Sequence, residues 1–247
     1  MSKPALRRWV LLAIFAAAFL LLISNMEWWH SGLRLIFPNL TGVLYPRASL
    51  LVLVEEHLRL VAVSSILTIM VGLPTGIWVT RRSGLAFSPI VTDLTSFGQT
   101  FPPVAVLALA VPLFGFGLAP TVLALFLYGL LPVVRNTVAG LQAVPHNLLD
   151  VASGLGMSRT QALFRVELPA AANVILAGIR ISVIINIGTA MIGAVIGAGG
   201  LGSPIIAGLV QFNTAYVIEG AVPAALLAVL FDQLLANIEK SFAYNPA

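Results

Sequence analysis

Only two lysines occur in the 247 residues, Lys3 and Lys240, and neither follows a glycine-rich stretch. A phosphate-binding loop needs its glycines and then a lysine to reach the β- and γ-phosphates. The chain therefore cannot hydrolyse ATP by that route. His30, His57 and His146 lie far apart without partners at metal-site spacing, so neither a metal nor another cofactor is expected. The absence of cysteine removes disulfides, thiolate metal sites and thiol catalysis. What remains is a handful of polar side chains set in apolar sequence: Gln99, Thr100, Asn186, Thr189 and Glu219. Polar groups in such surroundings are costly unless they face protein or water, which makes them candidates for lining a pathway. Hydrogen bonding between helices is the other use for them. Arg180 is expected to snorkel to a surface or to pair inside the structure. Isolated as they are, Arg180 and Glu219 make no catalytic cluster.

The elements that carry these residues follow from composition. Hydrophobic residues make up 59% of the chain and charged residues 9%, against about 25% charged in a soluble domain. No Asp, Glu, Lys or Arg occurs in residues 60–80, 94–134 or 181–218. At about 1.5 Å per residue the second stretch would make roughly 60 Å of helix, twice the ~30 Å hydrocarbon core, so it holds two spans and a turn. Six spans are expected, near residues 9–23, 58–79, 89–113, 119–134, 170–196 and 216–235. No small-x-small cleavage site closes the first apolar run, which points to a retained span. Pro102, Pro103 and Pro112 interrupt the third; Gly72, Pro74 and Gly76 in the second suit close packing or a kink. Trp28 and Trp29 suit a membrane interface.

The +4 net charge has a topological reading rather than a nucleic-acid one. With both termini inside, Lys3, Arg7, Arg8, Arg81, Arg82, Arg135, Arg159, Arg165 and Lys240 fall on the inner side and Arg34, Arg47 and Arg59 on the outer. Inner loops retain Lys and Arg, and nine against three is a clear bias.

Residues 141–168 form the longest polar inner segment. Its apolar residues recur at helical spacing and Gly154 and Gly156 interrupt it, as in a short helix pair. It is suited either to lie on the membrane surface or to dock a partner. Here Asp150-Val151-Ala152, then Gly156, then Val166-x-Leu168-Pro169 resembles the "EAA" loop of ATP-binding cassette importer permeases, with Asp150 in place of Glu, Val151 in place of Ala and Val166 in place of Ile. Gln99 to Pro103, Leu127 to Thr137, Glu167 to Pro169 and Gly197 to Gly202 with Pro204 are similar to the osmoprotectant branch, which imports glycine betaine, choline and carnitine. The enteric low-affinity betaine permeases look closest, through residues 183–190 and 212–218.

The resemblance implies an all-α integral membrane protein with the transmembrane domain of a type I importer. In it, residues 1–57 form a first span and periplasmic segment, and residues 58–240 form the permease domain with its coupling loop at 141–168. Asp150, Ala152, Gly156, Leu168 and Pro169 would form the ATPase-coupling element, with Pro169 starting the next helix. Gln99, Thr100, Asn186, Thr189 and Gly199 are the candidate pathway or gate residues. Implied partners are a dimer of cytoplasmic ATP-binding subunits, a second and different permease subunit, a periplasmic substrate-binding protein and membrane lipid, in a bacterial inner membrane. Phe97, Phe101, Tyr128, Phe212 and Tyr216 offer faces for a quaternary ammonium ion, although in this family the selective aromatic cage belongs to the binding protein. An amino-acid importer, as for methionine, is the alternative within the class; a secondary transporter would need ion-coupling groups or paired broken helices, and neither is evident.

Overall fold

Inside a bilayer every backbone N–H and C=O must find its partner within the protein, which leaves helices and closed barrels as the spanning structures. The computed structural model describes residues 3–242, with side chains from residue 6 onward. Among these the regular structure is entirely helical: α1 (Lys3–Ser24), α2 (Met26–Ile36), α3 (Leu50–Val79), α4 (Ser88–Thr100), α5 (Pro103–Phe114), α6 (Leu118–Gln142), α7 (His146–Gly154), α8 (Arg159–Ala162), α9 (Leu168–Thr189), α10 (Gly202–Gln211) and α11 (Thr214–Phe242). Short 3-10 segments cover Leu85–Phe87 and Ala190–Ile196, and a π-helical turn covers Leu163–Glu167. Five of the described rods are long and apolar enough to cross a membrane: α1, α3, α6, the run Arg159–Ile196 through α8 and α9, and α11. A sixth candidate is α4 with α5, bent by 95° at their junction.

That bend has a local cause. Phe101 and Pro102 each precede a proline, and the following ring disfavours the helical region for both. Both are extended, at ψ 136° and 134°. The expected third span is thus two short helices at nearly a right angle. With α6 they enclose an apolar cavity of about 530 Å³, walled by residues such as Leu94, Phe97, Leu109 and Phe126.

Two further features differ from the sequence expectation. The second span begins at Leu50 rather than near residue 58, so a division at 57/58 falls inside α3. Leu50, Leu53 and Val54 supply the buried face of this extra part and pack with Phe19, Trp29 and Val43, while Glu55 is exposed. Pro169 stands in the first turn of α9, as expected, but no break precedes that helix, which continues the run from Arg159. It can do so because the preceding turn is π-helical: the Leu168 N–H donates to the Leu163 carbonyl, five residues back. The turn takes up one extra residue just where the proline has no donor to offer.

The centre of the bundle is α6, packed between α3 on one side and α9 on the other; α11 covers α9, and α1 leans on α11. Small residues bring these backbones together, as membrane helices require when lipid supplies no hydrophobic drive for their association. A Cβ at Gly72 would stand 2.9 Å from Val133, and one at Gly76 would stand 2.8 Å from Thr137. At the end of the bundle away from α7, α2 packs beside the start of α3. Asn25 caps it, Trp29 is buried with its indole N–H donating to the Leu22 carbonyl at 2.9 Å, and Trp28 is exposed.

Gly178 marks the tightest approach of α9 to α6, since a Cβ there would stand 2.7 Å from the Pro132 carbonyl oxygen, a backbone atom that cannot swing aside. Gly178→Val is expected to cost about 1–3 kcal/mol through overpacking and to lower the temperature at which the detergent-solubilised protein aggregates. Gly188→Val, at a position with no atom within 4 Å, should leave that temperature close to wild type.

Candidate functional site

The inner segment is built as a helix, a tight reversal and a second helix. The chain reverses after α7 through Gly156, whose φ of +72° is the left-handed conformation that glycine adopts without penalty. There the Met157 N–H donates to the Ala152 carbonyl and the Gly156 N–H to the Ser153 carbonyl. This pair of bonds satisfies carbonyls that the end of α7 would otherwise leave open. One residue on, Ser158 caps α8 and Gln161 bonds back to the Ser158 N–H at 2.8 Å, a complete capping box. The reversal is therefore defined by its own residues.

Its side chains divide into two sets. Ala152 is buried, and Leu149, Leu163 and Leu168 pack against the cluster of Leu141, Val144, Ala171 and Ile175 at the ends of α6 and α9. Asp150, Gly156 and Pro169 are exposed, and beside them Val151, Leu155 and Phe164 present apolar side chains that are 60%, 72% and 65% exposed. Of the five residues expected to form a coupling element, Ala152 and Leu168 thus hold the segment to the bundle, and Asp150, Gly156 and Pro169 lie on the accessible side.

A charged tie joins this element to another span. Arg81, just past the end of α3, makes a two-pronged contact with Glu167 on the π turn, at 3.0 Å to Oε1 and 2.6 Å to Oε2. The planar guanidinium matches a carboxylate in this geometry, which fixes orientation as well as distance. The same end holds a polar cleft of about 750 Å³ whose walls include Arg81, Arg82, Leu149, Met157 and Thr160.

Within the bundle the pathway candidates separate. Gln99 donates to the Tyr128 carbonyl of α6 at 2.6 Å, and Thr100 bonds its own helix at the Phe97 carbonyl. Asn186 is fully buried, with its amide nitrogen 3.1 Å from Ser65 Oγ and 3.4 Å from Ser64 Oγ on α3. Thr189 is half-buried at the end of α9. The five do not form one constellation. Asn186 Oδ1, Ser182 Oγ and the Tyr128 hydroxyl are buried polar atoms without a hydrogen-bond partner among the described residues. The aromatic candidates also divide, into a Phe97–Phe101 pair 4.9 Å apart on α4 and a Tyr45–Tyr216 pair at the outer end.

At that outer end, Gly199 and Gly200 both have left-handed φ, 82° and 77°, and the Gly200 N–H donates to Glu56 Oε2 at 2.8 Å. Any side chain at Gly199 would run into the Glu56 carboxylate. His57, on α3, sits buried with Nε2 3.0 Å from the Ile187 carbonyl, which makes that nitrogen the protonated one. Glu219 is buried and accepts the Tyr45 N–H at 2.6 Å, and Asn213 donates to the Gly42 carbonyl. Gly199 is thus part of a set of ties holding residues 42–57 to the start of α10 and α11.

Several contributors were not legible as a site. Arg81 reads in sequence only as an inner cation, and Glu167 only as part of a motif, 86 residues away. Arg180 pairs with Asp232 at 2.8 Å and with Glu239 at 3.3 Å, an inter-helix use for which the sequence offered no partner. The capping box at Ser158 and Gln161 was the one missed feature with a readable signal.

Comparison with known proteins agrees with this architecture. The chain is 41% identical over 217 residues to the osmoprotectant import permease protein OsmY of Salmonella typhimurium, covering 88% of this chain and 89% of that one. It is 41% identical over 185 residues to the choline transport system permease protein OpuBB of Bacillus subtilis, covering 75% of this chain and 84% of that one. Among solved structures, an inward-facing form of the MetNI methionine transporter overlays with a TM-score of 0.69 at 22% identity, over 78% of this chain and 96% of the other. At that identity the overlay carries the fold and not the solute. Residues 72–244 match the binding-protein-dependent transport system inner membrane component family, and with the long α3–α6–α9 core, the inner helical reversal and the relatives' coverage of most of the chain, the protein belongs to that family.

Proposed function

We propose that this chain is the permease subunit of an ATP-binding cassette importer that moves a quaternary-ammonium osmoprotectant, such as glycine betaine or choline, across the bacterial inner membrane into the cytoplasm. The observation that carries the coupling role is the outward apolar face of Val151, Leu155 and Phe164 on an element whose other side is locked into the bundle and tied to α3 by Arg81 and Glu167. A partner ATPase docks on that face, and its nucleotide-driven closure moves α7 and α8. Through the ion pair and the continuous Arg159–Ile196 helix that movement reaches α3 and α9 together. The osmoprotectant assignment rests on the two relatives at 41% identity, one named an osmoprotectant import permease and the other a choline transport system permease.

In the assembled importer a second permease subunit completes the pathway, two ATP-binding subunits occupy the cytoplasmic side and a binding protein delivers solute to the periplasmic side. Both termini lie in the cytoplasm, on the side where Arg7, Arg8, Arg81, Arg82, Arg159 and Arg165 meet the negative surface of the inner leaflet. Gln99, Thr100, Asn186 and Thr189 contribute polar groups along the route, and Gly199, through the Glu56 tie, governs its outer end. Catalysis of ATP hydrolysis stays with the partner.

The first test is ATP-dependent uptake of labelled glycine betaine and choline into proteoliposomes holding the assembled importer with binding protein outside. Competition by an excess of betaine but not of methionine is the expected outcome; the reverse would discard the osmoprotectant assignment and keep the importer. Gly156→Arg should abolish uptake, whereas Gly156→Asn, which tolerates the left-handed backbone, should retain a substantial part of it. Wild-type uptake by a correctly inserted Gly156→Arg variant would remove this position from the ATPase contact. Arg81→Ala or Glu167→Ala should lower uptake per ATP hydrolysed about tenfold, the scale of one lost charge-assisted contact. The exchanged pair R81E/E167R should recover part of it if the tie transmits movement.

A further inference from the structure

A charged hollow of about 320 Å³ lies between α1 and α11 at the end of the bundle that carries α7, and nothing in the transport cycle described above uses it. Its walls are Arg8 and Leu11 of α1, Arg180 of α9, and Asp232, Gln233, Asn237 and Lys240 of α11, with Ala236 completing them. Three cations and one carboxylate line it directly; a second carboxylate, Glu239, reaches Arg180 from outside the lining. Both carboxylates are committed to Arg180: Asp232 Oδ1 takes the Arg180 Nε and Nη2 contacts at 2.8 Å, and Glu239 Oε2 takes Nη1 at 3.3 Å. Arg8 and Lys240 have no carboxylate within ion-pair distance among the described residues, and both are exposed at the rim.

This arrangement has a definite electrostatic character. Two acids against the one guanidinium of Arg180 leave the floor with one negative charge, which Arg8 and Lys240, on two different helices at the rim, outweigh by one. Asn237 and Gln233 add side-chain amides to the lining. Lys240 and Asp232 are eight residues apart on α11, so the hollow extends about 12 Å along the helix, from the membrane surface into the apolar layer. Leu11 and Ile14 continue on the exposed face of α1. A site with cations at the surface, amides below them and an apolar helix face leading into the bilayer matches a lipid with an anionic headgroup. Basic hollows between spans near the inner surface are where such headgroups bind.

We propose that this hollow binds the phosphodiester headgroup of an anionic phospholipid, held by Arg8 and Lys240, with its acyl chains along the exposed face of α1. The bound lipid bridges α1 to α11, a junction otherwise made by a single helix leaning on another at the edge of the bundle. Arg180 with its two acids forms the floor and keeps α9 and α11 in register beneath the headgroup. Free phosphate satisfies the cations but not the apolar track, so it should not substitute.

The test uses the full-length chain in its assembled importer, exchanged into nanodiscs of phosphatidylcholine containing a minor fraction of phosphatidylglycerol, with retained lipid measured by native mass spectrometry after release. Wild type should retain phosphatidylglycerol over phosphatidylcholine. R8Q/K240Q should lose that preference by about thirty-fold, two basic residues each supplying the usual surface-cation attraction to an acidic lipid. R8K/K240R preserves both charges and should keep it, which separates loss of the site from loss of the fold. Millimolar inorganic phosphate should not displace the lipid. Retention of phosphatidylglycerol by R8Q/K240Q at the wild-type level would overturn the proposal, as would equal retention of both lipids by wild type; displacement by phosphate would reduce the site to one for small anions. None of these readouts depends on which solute is transported, so the osmoprotectant assignment stands or falls separately.

Discussion

The requirement that backbone polar groups be satisfied inside the bilayer governs this molecule more than any side-chain contact. It makes every departure from the α-helix a matter of local chemistry, because a broken ladder in hydrocarbon leaves groups that water cannot reach. The departures are few and each has its own remedy. At Pro102 and Pro103 the chain turns through a right angle and α6 covers the break, with Gln99 reaching across to the Tyr128 carbonyl. At Leu163–Glu167 a π turn absorbs the missing donor of Pro169. Before the outer glycines a 3-10 segment tightens the end of α9, and left-handed glycines at 197, 199 and 200 complete the reversal.

These irregular points coincide with the ties between distant parts of the chain. The π turn carries Glu167, and the extra residue it accommodates turns that carboxylate toward Arg81 on a neighbouring span. The helical reversal of α7 and α8 is thereby connected to the bundle twice, covalently through α9 and electrostatically through α3. A regular helix through this region would rotate every following residue relative to the preceding turn, and the motif residues would no longer stand in the same relation to α3. The outer reversal works similarly: successive positive φ angles turn backbone N–H groups toward Glu56, and the carboxylate then fixes the loop to the top of α3.

Charge is arranged with the same economy. The described acidic residues within or next to the spans are mostly committed: Glu167 to Arg81, Asp232 and Glu239 to Arg180, Glu56 to Gly200 and Glu219 to Tyr45. What is left over at the α7 end is positive, which is the composition that faces an acidic leaflet. Arg180, the one cation set deep in a charge-free stretch, is tolerated because two carboxylates from a single neighbouring helix meet it.

Hydropathy and charge placement determined, without coordinates, that the chain is a multi-span helical membrane protein, and helical spacing interrupted at Gly154 and Gly156 marked residues 141–168 as a short helix pair, while its proposed coupling role comes from the resemblance carried by Asp150, Ala152, Gly156, Leu168 and Pro169. They could do so because those signals are local: a span is a run of apolar residues of bilayer length, and a reversal is set by its own glycine and cap. Tertiary structure alone decided that Arg81 meets Glu167, that Arg180 meets Asp232 and Glu239, that Asn186 is spent on Ser64 and Ser65, and that a π turn joins α8 to α9 without a break. Each of these depends on which faces of distant helices are brought together, and in a uniformly apolar helix the hydrophobic pattern that would reveal a face is almost absent, because lipid and neighbouring helices are equally apolar.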